Sequence, residues 1–176
     1  GKIVIKKIIK NDKLFSSKQQ RFIDYLFKKS ISLSAGSMIF KKEILNTFKF
    51  CEETKLNEDI PLFAHAIVNY DCQYLPFSTV SILKHNNSLR NNHKLLNEEI
   101  NVNHLTEIIF DERYIPREVL HLKNSYLSLR YLSLFRSYYL AEQYKQARKI
   151  YWRAIRVRWQ NIFKMNYLVK YLRSFC

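Results

Sequence analysis

Ser34-Ala35-Gly36-Ser37-Met38-Ile39-Phe40, Asn57-Glu58-Asp59-Ile60-Pro61-Leu62-Phe63, Tyr74-Leu75-Pro76-Phe77-Ser78-Thr79-Val80 and His85 with Asn86, Asn87 and Ser88 follow one another within Ser34–Ser88, and the reading of this stretch decides the fold. Small residues over Ser34–Ser37 predict a turn. The apolar triplet Met38–Phe40 behind it reads as a short strand, and Lys41–Thr47 as a helical turn. Glu58–Tyr70 reads as a helix with Ile60, Phe63, Ala64 and Ile67 on one face and both acids at its positive N-terminus. Cys72–Lys84 alternates and is rich in β-branched and aromatic residues, the pattern of a strand. The unit so predicted is α/β.

Working outward, Ser16 and Ser17 precede Lys18–Lys29, whose Phe22, Tyr25, Leu26 and Lys29 spacing fits a capped amphipathic helix. Upstream, Ile3-Val4-Ile5 is strand-like, and the opening at Gly1 without an initiating Met leads us to expect a preceding part of the protein. Downstream, the polar, asparagine-rich stretch from Asn86 to Asn103 predicts a loop and then a helix around Leu95–Leu105, bridging two units. Beyond Pro116 neither Gly nor Pro occurs, and apolar residues recur at three and four spacing to Cys176. That pattern predicts an all-helical tail. The expected organisation is a half-domain over 1–90, a linker and bridging helix over 91–115, and a basic helical appendage over 116–176.

Composition narrows the classes. The chain has 176 residues, 47% hydrophobic and 15% aromatic, enough to fill a core. Two glycines and three prolines are too few for a many-turned sandwich or barrel. Cys51, Cys72 and Cys176 are odd in number and form no C-x-x-C, which indicates neither a disulfide framework nor a zinc site. No apolar run approaches the roughly 20 residues a spanning helix needs. The net charge of +15 is uneven: residues 1–112 hold 16 Lys and Arg against 13 Asp and Glu, while 113–176 hold 14 against 2.

The four features of Ser34–Ser88, in that order, resemble the acceptor-side half of a family 2 glycosyltransferase. In that family a small-residue loop and strand precede an acidic pair opening a helix, then a Pro-containing strand ending near a His. The resemblance implies a partial GT-A fold, that is, a nucleotide-diphospho-sugar transferase half-domain, followed here by an all-α hairpin or bundle. It implies an inverting sugar transfer from a nucleotide-sugar donor to a hydroxyl of a glycan or lipid-linked acceptor, in cell-envelope polysaccharide or glycolipid synthesis. Inversion needs a carboxylate beside the acceptor hydroxyl to take its proton. The second acid of the pair supplies it in that family, which here is Asp59, with Glu58 one residue earlier orienting the acceptor. Ser34, Ala35, Gly36 and Ser37 would form the substrate-binding loop, its small side chains admitting backbone N–H groups close to a sugar or diphosphate. His85 would be a ligand to a divalent Mn²⁺ or Mg²⁺. The family holds that metal mainly through an Asp-x-Asp motif, which is absent from these residues, so the chain alone is expected to be inactive and the activity to belong to the longer parent.

The tail carries a second resemblance. Tyr131, Leu134, Phe135 and Tyr138, then Ala147, Tyr151 and Ala154, are spaced as in one tetratricopeptide repeat, with Phe135 and Trp159 where that repeat has Gly and Pro. A helical hairpin packed on its neighbours is expected, with Ile162–Phe175 as a third helix. Lys145, Lys149, Arg153 and Arg156 form one basic stripe, while Ala147, Tyr151, Ala154 and Ile155 take another side. With Tyr151, Trp152 and Trp159 interleaved, the stripe suits peripheral attachment to an anionic inner leaflet on the cytoplasmic side. Two other classes compete: a basic module binding nucleic acid through phosphates and stacked aromatics, and a non-catalytic helical adaptor for a protein partner. No recognised nucleic-acid motif is present, so no specific nucleic-acid partner is expected.

Overall fold

The computed structural model describes residues 16–54, 57–73 and 98–175. In chain order its helices are α1 (Lys18–Leu26), α2 (Lys42–Thr47), α3 (Asp59–Asn69), α4 (Glu98–Ile109), α5 (Arg117–Leu120), α6 (Lys123–Leu140), α7 (Tyr144–Val157) and α8 (Met165–Arg173), with 3₁₀ turns at Ala35–Ser37 and Trp159–Phe163. Among the described residues there is no strand, and the fold is all-α.

This overturns the expected α/β GT-A half-domain. Met38–Phe40 shows why the pattern misled. Met38 and Phe40 pack inward on a helical cluster while Ile39 is 88% exposed, so the in-out alternation is real. A strand also needs a neighbour to hydrogen-bond, and among the described residues none flanks it. The segment is irregular chain lying on helices. The remaining expected strand lies mostly beyond what is described: Cys72 and Gln73 are irregular, and 74–84 falls outside the described residues.

The chain divides into two compact units, one containing the described residues up to Gln73 together with Asp111–Glu118, the other those of Leu95–Phe110 and Val119–Cys176. In the first unit α1 starts where the serines predict, with Ser17 as N-cap accepting from Gln20 N–H at 3.2 Å. Helix α3 is its centre. The expected single apolar face proves too narrow, because every residue from Pro61 to Val68 is buried. A helix apolar all round must be enclosed by its neighbours. Phe40 stacks on Phe63 at 6.0 Å, Tyr25 meets the same ring edge-on at 6.4 Å, and Phe48 packs against His65 and Tyr114.

In the second unit the periodicity of the tail yields the expected hairpin. Helices α6 and α7 pack along their lengths through Tyr131, Leu132, Leu134 and Phe135 against Ile150, Tyr151 and Ile155, with Ala147 and Ala154 fully buried between them. Small residues at those two positions let the helix backbones approach. Helix α8 adds Tyr171, stacked on Tyr151 at 4.4 Å, and Tyr167, 6.1 Å from Phe135. Asn161 fixes the turn before α8, donating to Ser128 Oγ at 2.6 Å, while Ser128 donates to the Ala154 carbonyl at 2.7 Å.

The α6–α7 connection explains how a hairpin forms without glycine. Gln143 N–H bonds the Tyr138 carbonyl at 2.9 Å and Glu142 N–H the Tyr139 carbonyl at 3.1 Å, the paired bonds of a Schellman cap. Glu142 occupies the left-handed position, φ 58°, where a Cβ is unfavourable. Glu142→Gly is therefore expected to stabilise the second unit by about 0.5–1 kcal/mol, read as a raised urea midpoint at unchanged slope. A lowered midpoint would show that the side chain contributes more than the strained φ costs.

Candidate functional site

The mouth of α3 is the site that the sequence singles out. Asp59 is the first helical residue and is half-buried; Glu58 is the N-cap residue, with helical φ and ψ, an exposed side chain and no side-chain cap bond. The chain leading in is folded back on itself. Cys51 N–H donates to the Glu58 carbonyl at 3.0 Å, Asn57 N–H to the Thr54 carbonyl at 3.0 Å, and Ile60 N–H to the Asn57 carbonyl at 3.2 Å. Thr54, 1% exposed, donates its hydroxyl to the Cys51 carbonyl at 3.2 Å. Pro61 is accommodated because a first-turn residue needs no N–H donor. The acid pair thus opens a helix whose approach is fixed by main-chain bonds.

The small-residue turn shares this support. Ala35 and Gly36 are exposed in the 3₁₀ turn, and on either side of it Leu33, Met38 and Phe40 pack on the cluster to which α3 contributes Leu62, Phe63 and Ala66. Gly36 is not in the left-handed region, so its backbone does not demand glycine; what the missing side chain leaves is open main chain. Phe63, one helical turn beyond Asp59, bears the Phe40 ring. The turn and the acid therefore rest on the same first turns of α3. His85 and Tyr74–Val80 lie outside the described residues, so this part of the constellation has no geometry here.

The C-terminal end of α3 is held by a device that sequence reading missed. Arg21, 5% exposed, donates to the carbonyls of Ile67 at 3.4 Å and Tyr70 at 3.0 Å, and also to Ser16 at 3.1 Å. Lys18 Nζ donates to the Asn69 carbonyl at 2.9 Å. Two cations of α1 thus meet the negative end of α3, where the last carbonyls lack helical partners. Asn69 adds a bond from Nδ2 to the Tyr114 carbonyl at 2.8 Å. The only hint in the sequence was Arg21 next to Phe22, on the apolar side of an amphipathic helix.

Buried polar groups of the first unit serve this frame. Asp24, 3% exposed, is desolvated by burial, yet its carboxyl stays below the ordinary range because Lys28 and Gln20 hydrogen-bond to it and the Lys28 charge lies 3.1 Å away. His65, 4% exposed, sits between the rings of Phe48 and Tyr114 at 5.3 and 5.4 Å. Asp111 is held at about 2, first by its hydrogen bonds from Arg113, against the opposing effect of burial. Arg113 Nε reaches both carboxylate oxygens at 3.0 Å.

A folded-state value below the unfolded 3.8 means that Asp111 stabilises above that value and that its contribution is lost as pH falls toward 2. Asp111→Asn should accordingly be less stable than the parent at pH 5, with the gap closing by pH 2. Urea midpoints along that range measure it; a constant gap would trace the effect to packing rather than ionisation.

No family model, curated protein or solved structure matches this chain. Among the described residues no group of three or more His, Cys, Asp or Glu is placed to hold a metal ion, and no helix is long and apolar enough to cross a membrane. What the α3 mouth offers on its own is a half-buried Asp59 at a helix N-terminus, with Ala35 and Gly36 exposed in a turn whose flanking residues pack on the same helix. A carboxylate at a helix N-terminus is held ionised by the helix dipole, the state in which it can take a proton from a hydroxyl.

Proposed function

We propose that the chain contributes the acceptor side of an inverting glycosyltransferase, with Asp59 taking the proton of the acceptor hydroxyl as it attacks the anomeric carbon. The observation that carries the reading is the common support of Asp59 and the Ser34–Ser37 turn on the first turns of α3. It adds to the order of motifs along Ser34–Ser88 and does not rest on a sheet. In this reading Glu58 orients the acceptor, and Ser34, Ala35, Gly36 and Ser37 offer hydroxyl and backbone groups to sugar or diphosphate. The donor nucleotide and its divalent metal are held by other parts of the parent protein, so the steps assigned to these residues are orientation and deprotonation of the acceptor. The substrate class is a glycan or lipid-linked acceptor of the cell envelope, met at the cytoplasmic face of the membrane. Sugar transfer by the full-length protein, compared between Asp59 and Asp59→Asn at equal folded content, tests the reading; undiminished transfer removes it.

A further inference from the structure

Helix α8 is apolar on two opposite sides, and only one of them is packed. Tyr167, Tyr171 and Ser174, at i, i+4 and i+7, face the core of the second unit. Met165, Val169 and Leu172, again at i, i+4 and i+7, lie on the opposite side and are 62%, 37% and 57% exposed. The preceding turn adds two rings, Trp159 and Phe163, both largely exposed and 5.9 Å apart edge to face. They are not at a fraying end, because buried Asn161 between them is anchored to Ser128 on α6. Phe175 is exposed but belongs with the packed side, against Tyr171 at 5.3 Å and the Arg148 guanidinium at 4.5 Å.

Cations are interspersed along this segment of the chain and acids are not. Arg158, Lys164, Lys170 and Arg173 are interspersed with the apolar residues, and no Asp or Glu occurs after Glu142. Burial and then the neighbouring charge of Arg158 hold the Lys164 ammonium below its ordinary range, so an anion at this point would relieve crowded positive charge. Beside the basic stripe of α7, of the aromatic residues Tyr151 and Trp152 expected there, only Trp152 is exposed, at 47%. The apolar side of α7 is spent on the hairpin, and Tyr151, read as an interfacial residue, is only 1% exposed.

We infer that the Trp159–Phe163 turn and the outer face of α8 form a docking surface for an anionic lipid bilayer. Met165, Val169, Leu172, Trp159 and Phe163 would enter the headgroup boundary, with Lys164, Lys170 and Arg173 at phosphate level. A bilayer fits better than a second copy of the chain, which would bring two strongly positive faces together. It fits better than RNA, because Met165, Val169 and Leu172 form an aliphatic strip that bases do not stack on, whereas an acyl boundary accepts it. The inference deepens the membrane placement of the proposed function and rests on that reading for location alone; the chemistry at Asp59 plays no part in it.

The test is co-sedimentation of the full chain with vesicles of phosphatidylcholine alone and of phosphatidylcholine mixed with phosphatidylglycerol, alongside a Met165→Ser/Val169→Ser/Leu172→Ser variant whose changes are all on exposed side chains. Binding to the anionic vesicles, falling about tenfold or more in the variant and accompanied by a blue shift of Trp fluorescence in a Trp152→Phe background, supports the inference. No binding to anionic vesicles overturns it. Equal binding by the triple variant also overturns it, since the attachment would then be charge alone. So would self-association by sedimentation equilibrium that the variant abolishes while lipid binding persists, or tighter retention by polyuridylate than by vesicles. Loss of sugar transfer in Asp59→Asn leaves this experiment unaffected, so the two readings fail separately.

Discussion

Replacing Asp59 by Asn in the full-length protein is expected to lower sugar transfer by about 10²–10⁴-fold, the usual contribution of a positioned general base. The amide is the same size as the carboxylate and can occupy the first position of α3, but it cannot accept the acceptor proton. The structural cost should be small. A carboxylate at a helix N-terminus contributes about 0.3–1 kcal/mol, so the thermal midpoint of the variant should drop by only a few degrees. Glu58→Gln is the contrasting variant: exposed and outside the first turn, it should weaken acceptor binding and leave the turnover rate much closer to the parent. Rate against acceptor concentration, with circular dichroism to confirm folded content, separates the two. An Asp59→Asn protein that transfers sugar at the parental rate would end the assignment of the base. A variant that fails to fold would be replaced by Asp59→Glu, expected to keep the fold and recover part of the rate.

Arg21→Met is expected to destabilise the first unit by about 2–4 kcal/mol. Methionine keeps much of the buried volume but removes donors that meet the carbonyls of Ser16, Ile67 and Tyr70. Those of Ile67 and Tyr70 belong to the C-terminal end of α3, buried or half-buried, where water is a poor substitute. Arg21→Lys keeps the charge but not the planar fork, and should cost about half as much. Urea unfolding of the chain followed by circular dichroism measures both. A loss below about 0.5 kcal/mol for the Met variant would mean that hydration replaces the guanidinium at these carbonyls. Because α3 also presents Asp59 at its other end, Arg21→Met carries a second consequence in the proposed reading: transfer should fall with the folded fraction and not beyond it.

The helices that were legible in the sequence share a physical property: each is specified by its own residues. Ser17 and the spacing behind it define α1, the acids and an apolar run interrupted by His65 define α3, and the absence of Gly and Pro beyond Pro116 leaves helix as the regular structure of the tail. The acid pair at the mouth of α3 was legible for the same reason, since helix start signals are local. Met38–Phe40 was misread because alternation reports only which side chains point inward. Whether such a segment pairs as a strand or lies on helices depends on a neighbour that its own residues do not encode.

What the sequence by itself determined is the helical tail, the cap and periodicity of α1, the start of α3 at Glu58 and Asp59, and the concentration of positive charge after residue 113. What only the tertiary structure decided is how those helices are used. It enclosed α3 on all sides, set Arg21 and Lys18 against its carbonyls, turned Tyr151 into the core, and left Met165, Val169 and Leu172 of α8 outside. Periodicity identifies an apolar face, but α8 carries two, and which one is buried follows from the residues it meets. Those partners lie far away along the chain, as Arg21 does from Tyr70, Ser128 from Asn161 and Phe135 from Tyr167, and a one-dimensional pattern holds no record of such pairings.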